Sequence, residues 1–286
     1  MFETTKLNMN TELAKTVTAS VQTDAGCVRE ANEDSGRHVL PNDPETQFKK
    51  GILTIVADGM GGHASGEVAS QMAVDLISEN YYADKTHSAP DALKNAIEQA
   101  NRRIYETSLT EEKMFGMGTT VIALVLLNGK AFSAHVGDSR LYRLRRQNME
   151  MMTLDHSQVM EMVKYGIISM EEARNHDDKN VILRAVGTQP AVEVELSEPF
   201  TIEASDQFLL CSDGLCDMME DEKIREIWAA ASDVHAAGEQ LIEQAKQNGG
   251  HDNITVGIVR IAAEGEMEAS RNVRITREIE IGESNN

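Results

Sequence analysis

The feature that most constrains this chain is a set of apolar runs that each meet an aspartate in a short, flexible segment. The run ILTIVAD at 52–58 has the length and the β-branched content of a buried strand, and the sequence GMGG follows Asp58 directly. Similar runs lie in AHVGDSR at 134–140, in FLLCSDG at 208–214 and, with the aspartate first, in GGHDNITV at 249–256. The chain is therefore predicted to form sheets that carry carboxylates at their strand ends.

Strands and helices occur in blocks rather than in strict alternation. Apolar residues recur at helical spacing over 64–82 and again after Pro90, which is tolerated in a first helical turn. The period then changes, since TTVIALVLL at 119–127 and AFSAHVGD at 131–138 flank Asn128-Gly129, a pair typical of a hairpin turn. This pattern favours an α+β fold in which helices pack outside antiparallel sheets.

One segment, 154–190, is predicted to leave the sheets as a small helical excursion, or flap. A short helix is expected to stop at Gly166, and Ser169 with Glu172 has the spacing of a capping box that begins another helix. The chain is then expected to return to the sheet. Elsewhere the pattern predicts strands at 18–27, 208–214 and 253–261, and helices around Trp228 and Leu241.

The chain is predicted to hold one main domain at 16–262, because no repeat or low-complexity linker interrupts that range. Residues 1–15 form a polar leader without the features of a signal peptide. In the tail, 263–286, apolar and polar residues alternate between Val273 and Ile281. This alternation predicts an extra strand that pairs with a sheet edge, and a disordered tail is the alternative.

The charge balance excludes some classes of function. Lys and Arg number 27 and Asp and Glu number 47, so the formal net charge is −20. Such a chain is not expected to bind nucleic acid or an anionic membrane surface. The three cysteines, Cys27, Cys211 and Cys216, predict reduced thiols in a cytoplasmic protein, and the last two are interpreted as small core residues rather than nucleophiles.

The aspartates at the strand ends have two interpretations. An Asp-Gly pair is a common turn, and each instance alone is explained that way. If Asp58, Asp138, Asp213 and Asp252 converge instead, each pair of carboxylates about 4 Å apart repels by about 4 kcal/mol at an effective dielectric of about 20. Such a cluster requires protons or cations, and oxygen ligands favour Mg²⁺ or Mn²⁺ over zinc.

Seven motifs carry a family resemblance. In chain order they are RxxNED (29–34), VADGMGGHxxGE (56–67), GxGTT (116–120), VGDSR (136–140), MTLDHS (152–157), SDGL (212–215) and HDNITV (251–256). Over roughly residues 18–262 this ordered set resembles the bacterial form of the metal-dependent PPM, or PP2C-like, serine/threonine protein phosphatases. The resemblance implies a four-layer α-β-β-α sandwich of two antiparallel sheets flanked by helices.

The resemblance also implies a ligand set for two Mn²⁺ or Mg²⁺ ions. Asp58 would bridge the ions, the carbonyl of Gly59 would add a ligand, and Asp213 and Asp252 would hold one ion. Asp138 would help Asp213 to bind a third, weaker ion. Asp34 would orient a metal-bound water, and Asn253 and Gly214 would support the loops.

Two positions concern the substrate. Arg29 matches the phosphate-binding arginine of the family, and a guanidinium fork suits a phosphate dianion. Met60 departs from eukaryotic relatives, which place a histidine there as a candidate general acid, so the leaving alkoxide would be protonated by water or by another group. His63 is interpreted as a residue that supports the loop or caps the following helix, with catalysis as the alternative.

The leading hypothesis is therefore metal-dependent hydrolysis of phosphoserine and phosphothreonine in proteins, by water or hydroxide activated at a binuclear centre and without a phosphoenzyme. The expected partners are phosphorylated proteins, including a bacterial serine/threonine kinase and its substrates. A catalytically silent sensing module and a hydrolase of small phosphoesters remain as alternatives.

Overall fold

The computed structural model describes residues 17–61 and 65–262. The strands are β1 (Val17–Asp24), β2 (Asp34–Val39), β3 (Ile52–Met60), β4 (Gly118–Thr119), β5 (Val121–Leu127), β6 (Lys130–Val136), β7 (Arg140–Arg145), β8 (Asn148–Met151), β9 (Glu195–Leu196), β10 (Phe200–Thr201), β11 (Gln207–Cys211) and β12 (Ile254–Ile261). The helices are α1 (Pro44–Lys50), α2 (Ser65–Ala83), α3 (Ala89–Thr110), α4 (Gln158–Lys164), α5 (Met170–Arg174), α6 (Asp213–Cys216), α7 (Asp221–Ala230) and α8 (Val234–Gln247), with a 3₁₀ turn at Glu112–Met114.

The strands form two antiparallel sheets, as predicted. The first sheet has the order β1-β12-β11-β7-β8. The second has the order β10-β6-β5-β3-β2, and the two-residue strands β4 and β9 pair with β3 and β6 at its margins. The hairpin between β5 and β6 turns at Asn128 and Gly129, whose φ angles of 53° and 74° are those that an Asn-Gly turn requires.

Three apolar cores separate four layers, and they confirm the α-β-β-α sandwich. One core lies between the second sheet and helices α2 and α3, where Leu53 and Ile55 meet Ile77 and Ile97. A second core packs α7 and α8 against the first sheet around Trp228. The third core fills the space between the two sheets. Each sheet is thus covered on both faces, which explains why central strands such as β3 and β5 are apolar along most of their length.

The alternation of side chains along β3 decides where Asp58 lies. Leu53 and Ile55 point to the helices, whereas Ile52 and Val56 pack against the first sheet in the central core. Successive residues of a strand point to opposite faces, so Asp58 falls on the same inner face as Ile52 and Val56. The inner face of the sandwich therefore changes from apolar to acidic at this end of the strand.

Three sequence expectations differ from the structure. Strand β3 does not end at Asp58 but continues to Met60, because β4 supplies a partner for Gly59 and Met60. Residues 34–50 contain a strand and a helix, β2 and α1, that the sequence analysis did not predict. After the flap helices, residues 175–190 form no strand, and they meet β4 at the bridge between Thr119 and Val186.

Some expectations concern residues outside the described ranges. These are the polar leader at 1–15, His63, and the predicted strand in the tail at 263–286. Within 17–61 and 65–262, no helix is both long enough and apolar enough to cross a membrane.

Trp228 provides a test of the core between the first sheet and its helices. Its side chain is 1% exposed, and truncation to Ala should lower the free energy of unfolding by about 3–5 kcal/mol, because it leaves a large cavity. Phe115 is 75% exposed, so Phe115→Ala should change the free energy by less than about 0.5 kcal/mol. Urea denaturation of both variants measures the difference, and equal effects would contradict the assigned packing.

Candidate active site

The acidic end of the inner face begins with two aspartates on neighbouring strands. Asp34, the first residue of β2, is the ladder partner of Asp58 on β3. Asp34 is 6% exposed, and its Oδ2 accepts a hydrogen bond of 2.8 Å from the hydroxyl of Ser212, which follows β11 of the other sheet. The side chain of Thr255, on β12, also donates to Asp34. Asp34 therefore joins the two sheets at the point where the apolar core ends.

Two further aspartates come from chain segments that leave the strands at this end. Asp138 follows β6, at the place where the chain passes from the second sheet to the first. Asp213 is the first residue of α6, directly after β11, and its carboxyl group lies within hydrogen-bonding reach of that of Asp58. The charge of Asp138 acts on Asp58, and that of Asp213 acts on Asp138. The structure thus brings Asp58, Asp138 and Asp213 together.

Asp252 and Arg29 complete the cluster on its solvent side. The Arg29 guanidinium lies 2.7 Å from Asp252 Oδ2, and both side chains are partly exposed. The charge of Asp252 acts on Asp34, Asp58 and Asp213. Burial lowers the pKa of Arg29, but its contacts with Asp252 outweigh burial and raise that pKa. Arg29 therefore stays charged at the mouth of the cluster.

Asn253 fixes the loop that carries Arg29. Its side-chain carbonyl accepts from the backbone N–H of Glu33 at 2.8 Å. Its amide donates to the carbonyls of Ala25 at 3.1 Å and Ala31 at 2.9 Å. One side chain thus satisfies three backbone groups on both sides of Arg29.

Two glycines allow backbone segments to approach closely at the cluster. A Cβ at Gly59 would lie 2.2 Å from the carbonyl oxygen of Gly66 and 2.4 Å from that of Glu33. A Cβ at Gly214 would lie 2.0 Å from the carbonyl oxygen of Asn253. Any side chain at either position would push these backbone segments apart, so both glycines are required by packing.

Burial and mutual repulsion raise the pKa values of the clustered carboxyl groups. For Asp34, burial is the main cause and the charge of Asp213 adds to it, whereas hydrogen bonds from Thr255 and Ser212 oppose it, and its pKa rises to about 7. Burial also raises the pKa of Asp213 to about 6, with the charge of Asp252 as the next cause. Burial and neighbouring carboxylates raise the pKa values of Asp58 and Asp138 well above the ordinary range. The cluster favours protons when no cation is present.

Unpaired oxygens show what the cluster is built to hold. Asp34 Oδ1, Asp138 Oδ1 and Asp213 Oδ1 are buried and have no hydrogen-bond partner. Leaving a buried carboxylate oxygen unpaired is costly, and such oxygens are normally satisfied by donors or cations. Oxygen donors with several negative charges are the ligand set of Mg²⁺ and Mn²⁺. The residues present therefore fit hard divalent cations.

Arg140 and Asp155 form a buried ion pair beside Asp138 that the sequence analysis did not single out. Arg140 Nη2 donates to Asp155 Oδ2 at 2.7 Å, and Nε donates to Oδ1 at 3.0 Å. The charge of Arg140 lowers the pKa values of Asp138 and Asp213, in opposition to burial. Both residues belong to the quoted motifs VGDSR and MTLDHS, so the motifs contained the signal although no role was assigned to either residue.

Thr120 is another residue whose role was missed. Its hydroxyl accepts from the backbone N–H of Asp58 at 3.1 Å and lies 2.7 Å from the hydroxyl of Ser139. The carbonyl of Asp58 in turn accepts from the backbone N–H of Thr120 at 2.8 Å. Thr120 therefore fixes the backbone of Asp58 on one side and the turn that contains Asp138 on the other.

A second group of titratable residues lies nearby in the described part of the chain, formed by His135, His156 and Glu195. The backbone N–H of Gly137 donates to His156 Nδ1 at 3.1 Å, so His156 Nε2 carries the proton and faces Glu195 at 3.1 Å. Both nitrogens of His156 are therefore used in hydrogen bonds that hold Gly137, next to Asp138. This geometry is that of a structural histidine.

A cavity of about 460 Å³ opens beside the cluster, between the flap and the first sheet. Asp138 and Asp213 lie on its inner wall. The flap closes the other side through two ion pairs, Lys179 with Asp217 at 2.7 Å and Arg174 with Asp221 at 2.8 Å. The carboxylate cluster is thus reached through a cleft whose outer wall is the flap.

Comparison with known proteins shows similarity to protein phosphatases. A family model described as Protein phosphatase 2C matches residues 43–249. A relative, the serine/threonine phosphatase stp of Listeria innocua, is 38% identical over 246 residues, which cover 84% of this chain and 94% of that protein.

Solved structures show the same similarity in three dimensions. The serine/threonine phosphatase PstP/Ppp of Mycobacterium tuberculosis has a TM-score of 0.76 and 34% identity, and the match covers 86% of this chain and 99% of that one. A structure of the PstP catalytic domain in complex with two manganese ions has a TM-score of 0.72 and 32% identity, with coverage of 86% and 99%.

The raised carboxyl pKa values predict how stabilisation by Mn²⁺ depends on pH. Asp34 and Asp213 have folded-state pKa values of about 7 and about 6, above their ordinary value of 3.8. In the metal-free protein, their contribution to stability is fully present below about pH 4 and is lost as the pH rises through about 7. A divalent ion binds the deprotonated groups, so the gain in melting temperature on adding Mn²⁺ should grow between about pH 5 and pH 7.5.

Melting of chelated and Mn²⁺-loaded protein at each pH measures this gain. His38 is buried, which lowers its pKa to about 4, and it acts in the opposite direction, but it contributes equally to both samples and cancels. Asp213→Asn serves as the control variant and should flatten the dependence. A gain in melting temperature that stays constant over this pH range would contradict binding of Mn²⁺ to these carboxylates.

Proposed function

The chain belongs to the protein phosphatase 2C family and is a serine/threonine phosphatase, and on that premise we propose that the carboxylate cluster around Asp58 is its catalytic metal centre. The observation that carries this proposal is the set of three buried, unpaired carboxylate oxygens on Asp34, Asp138 and Asp213. The reaction is hydrolysis of phosphoserine and phosphothreonine in proteins. The PstP structure with two manganese ions supports Mn²⁺ or Mg²⁺ as the cofactor.

We propose that Asp58, the carbonyl of Gly59 and the carboxylates of Asp213 and Asp252 would hold two ions. Asp138, whose charge acts on Asp213, is placed to share a third, weaker ion with that residue. When bound, the ions supply positive charge that lowers the pKa of water and stabilises the charge that develops on the phosphoryl group. The protein's contribution is to hold deprotonated oxygens in fixed positions, and Thr120 does this for Asp58 through the backbone.

Arg29 is proposed to bind the substrate phosphate. Its partner Asp252 occupies only one end of the guanidinium, through Nη2, and the side chain is 53% exposed, so other donors of the fork face solvent. A planar guanidinium can donate two parallel hydrogen bonds to phosphate oxygens. Because the net charge of the chain is −20, a fixed cation at the entrance also offsets the repulsion of an anionic substrate.

Asp34 is proposed to orient the attacking water. Its Oδ2 is fixed by the hydroxyl of Ser212, which leaves Oδ1 as the acceptor for a proton of that water. Cations in the cluster would lower the pKa of Asp34 from about 7 and keep it ionised at neutral pH. A carboxylate held in this way can accept a hydrogen bond and direct the oxygen of water toward phosphorus.

The proton that the leaving alkoxide requires is proposed to come from solvent. Met60 is the last residue of β3 and pairs with Gly118, and its thioether has no proton to donate. The cavity beside the cluster is open to water, so a protein acid is not required at that position. His63 lies outside the described residues and stays a hypothesis from the sequence.

The flap is proposed to select substrates, because it forms the outer wall of the cleft. The expected substrates are phosphorylated proteins, among them a serine/threonine kinase and its targets, and the free thiols among the described cysteines are consistent with a cytoplasmic site of action. A silent sensing module is disfavoured by the intact acidic cluster. A preference for small phosphoesters stays as the second candidate and is decided by a substrate panel.

Loss of a ligand tests the metal centre. Asp58→Asn should lower kcat by at least about a thousandfold, because several kcal/mol of charge stabilisation depend on the bound ions. The measurement is phosphate release from a phosphothreonine peptide by metal-stripped protein to which Mn²⁺, Mg²⁺ or chelator is added. Glu106→Gln, an exposed acidic residue on α3, is the matched control and should retain full activity. Turnover that survives chelation would refute a metal-dependent mechanism.

Removal of the arginine tests the phosphate-binding role. Arg29→Ala should raise KM by about 10- to 100-fold, the equivalent of a hydrogen bond to a charged group, and should change kcat by less than about threefold. Arg29→Lys should recover part of the loss, since it restores charge without the fork. Steady-state kinetics with the same peptide measure both constants. A loss of kcat with KM unchanged would show that Arg29 acts in the transition state instead.

A further inference from the structure

Two cysteines lie in contact next to the carboxylate cluster. Cys211 is the last residue of β11 and Cys216 is the last residue of α6, which begins at Asp213. Their Sγ atoms are 3.4 Å apart, and both are free thiols. Cys27, the other described cysteine, is exposed and its Sγ contacts the carbonyl of Lys246 instead. Two sulfurs at this distance need only a small movement to reach the bond length of a disulfide, about 2.05 Å.

The surroundings of Cys216 favour its thiolate. Its Sγ lies 3.6 Å from the hydroxyl of Tyr142, and Arg140 Nη1 donates to that hydroxyl at 3.2 Å. The hydrogen bond from Cys211 lowers the pKa of Cys216, burial opposes this, and the positive charge of Arg140 lowers it further. A thiolate stabilised by nearby positive charge is the usual form of a reactive cysteine.

Access distinguishes the two sulfurs. Cys216 is 9% exposed and lies on the wall of the cavity that also contains Asp138 and Asp213. Cys211 is fully buried, with no exposed surface, in the core under α7 and α8. A small oxidant in the cavity can therefore reach Cys216 first, and Cys211 is placed behind it. This is the arrangement of an oxidisable cysteine with its resolving partner.

We propose that Cys211 and Cys216 form a dithiol site that a peroxide oxidises to an intramolecular disulfide. The Cys216 thiolate attacks one peroxide oxygen, the O–O bond breaks, and the released hydroxide takes up a proton to become water. Cys211 then attacks the sulfur of the Cys216 sulfenic acid, the S–O bond breaks, and a second water leaves with the thiol proton. Two thiols lose two electrons in total, and one hydrogen peroxide is reduced to two waters.

The disulfide would act on the metal centre through α6. Shortening the contact from 3.4 Å to about 2.05 Å draws Cys216 toward β11, and α6 is only four residues long with Asp213 at its other end. Gly214 already packs against the carbonyl of Asn253 without space for a Cβ, so α6 cannot shift without moving Asp213. This consequence rests on the proposed function: oxidation should lower Mn²⁺ affinity by about tenfold, as a displaced support of a ligand does.

The site itself is tested on the full chain without metal. Metal-stripped protein is treated with hydrogen peroxide, the remaining thiols are alkylated, and a non-reducing digest is analysed by mass spectrometry. A peptide pair that joins Cys211 to Cys216 and disappears after treatment with dithiothreitol is the expected result, with Cys27 still available for alkylation. Absence of this cross-link, or a cross-link that involves Cys27 instead, overturns the proposal.

Matched variants and calorimetry test the consequence. Cys211→Ala and Cys27→Ala each remove one thiol, but only Cys211→Ala removes the resolving partner. Peroxide should lower Mn²⁺ affinity and peptide turnover reversibly in the wild type and in Cys27→Ala, and dithiothreitol should not restore Cys211→Ala once its sulfenic acid has oxidised further.

The outcomes separate the two claims. A disulfide that leaves Mn²⁺ affinity within about twofold overturns the link to the metal centre. Reduced protein that binds no Mn²⁺ overturns the proposed function, and the digest still decides whether the dithiol site exists.

Discussion

The structure depends on the electrostatic repulsion among carboxylates that are buried at one end of the sandwich. The inner faces of the two sheets are apolar along most of their length, and at one end Asp34 and Asp58 lie on those faces where packing would otherwise place apolar side chains. Burial leaves these carboxylates poorly solvated, and Asp213 and Asp138 increase the local negative charge. Opposite charge or protons must therefore enter the cluster. In the described part of the chain, Arg140 supplies positive charge beside the cluster, but its guanidinium is paired with Asp155.

Local chemistry explains what could be predicted from the sequence. The hairpin at Asn128-Gly129 depends on two φ angles that these residues adopt easily, and the flap helix at Ser169 depends on a capping box that closes within four residues. The division into layers also follows from periodicity. The predicted end of β3 was wrong, because the last residues of the strand pair with β4, which lies far along the chain and has only two residues. No local pattern reports such a pairing.

The residues of the site also fall into two groups, those that the sequence indicates and those that only the fold reveals. The aspartates could be named in advance because each interrupts an apolar run, but their convergence depends on sheet order and on side-chain parity along β3. The residues that hold them, Ser212 and Thr120, were not assigned because a hydroxyl beside an acid has many ordinary roles. Arg140 and Asp155 were within quoted motifs, and only the folded chain shows that they face each other. Sequence therefore indicates the chemical groups, and tertiary structure determines their partners.

The cluster lies across the seam between the two sheets, since Asp34 and Asp58 belong to one sheet and Asp213 and Asp252 adjoin strands of the other. Two of the places where the chain crosses that seam, the loop with Arg29 and the turn with Asp138, are also part of it. A bound ion would consequently link the two sheets of the sandwich. Ligands from both sheets would then oppose sliding of one sheet over the other. The proposed catalytic residues would therefore also keep the two sheets aligned.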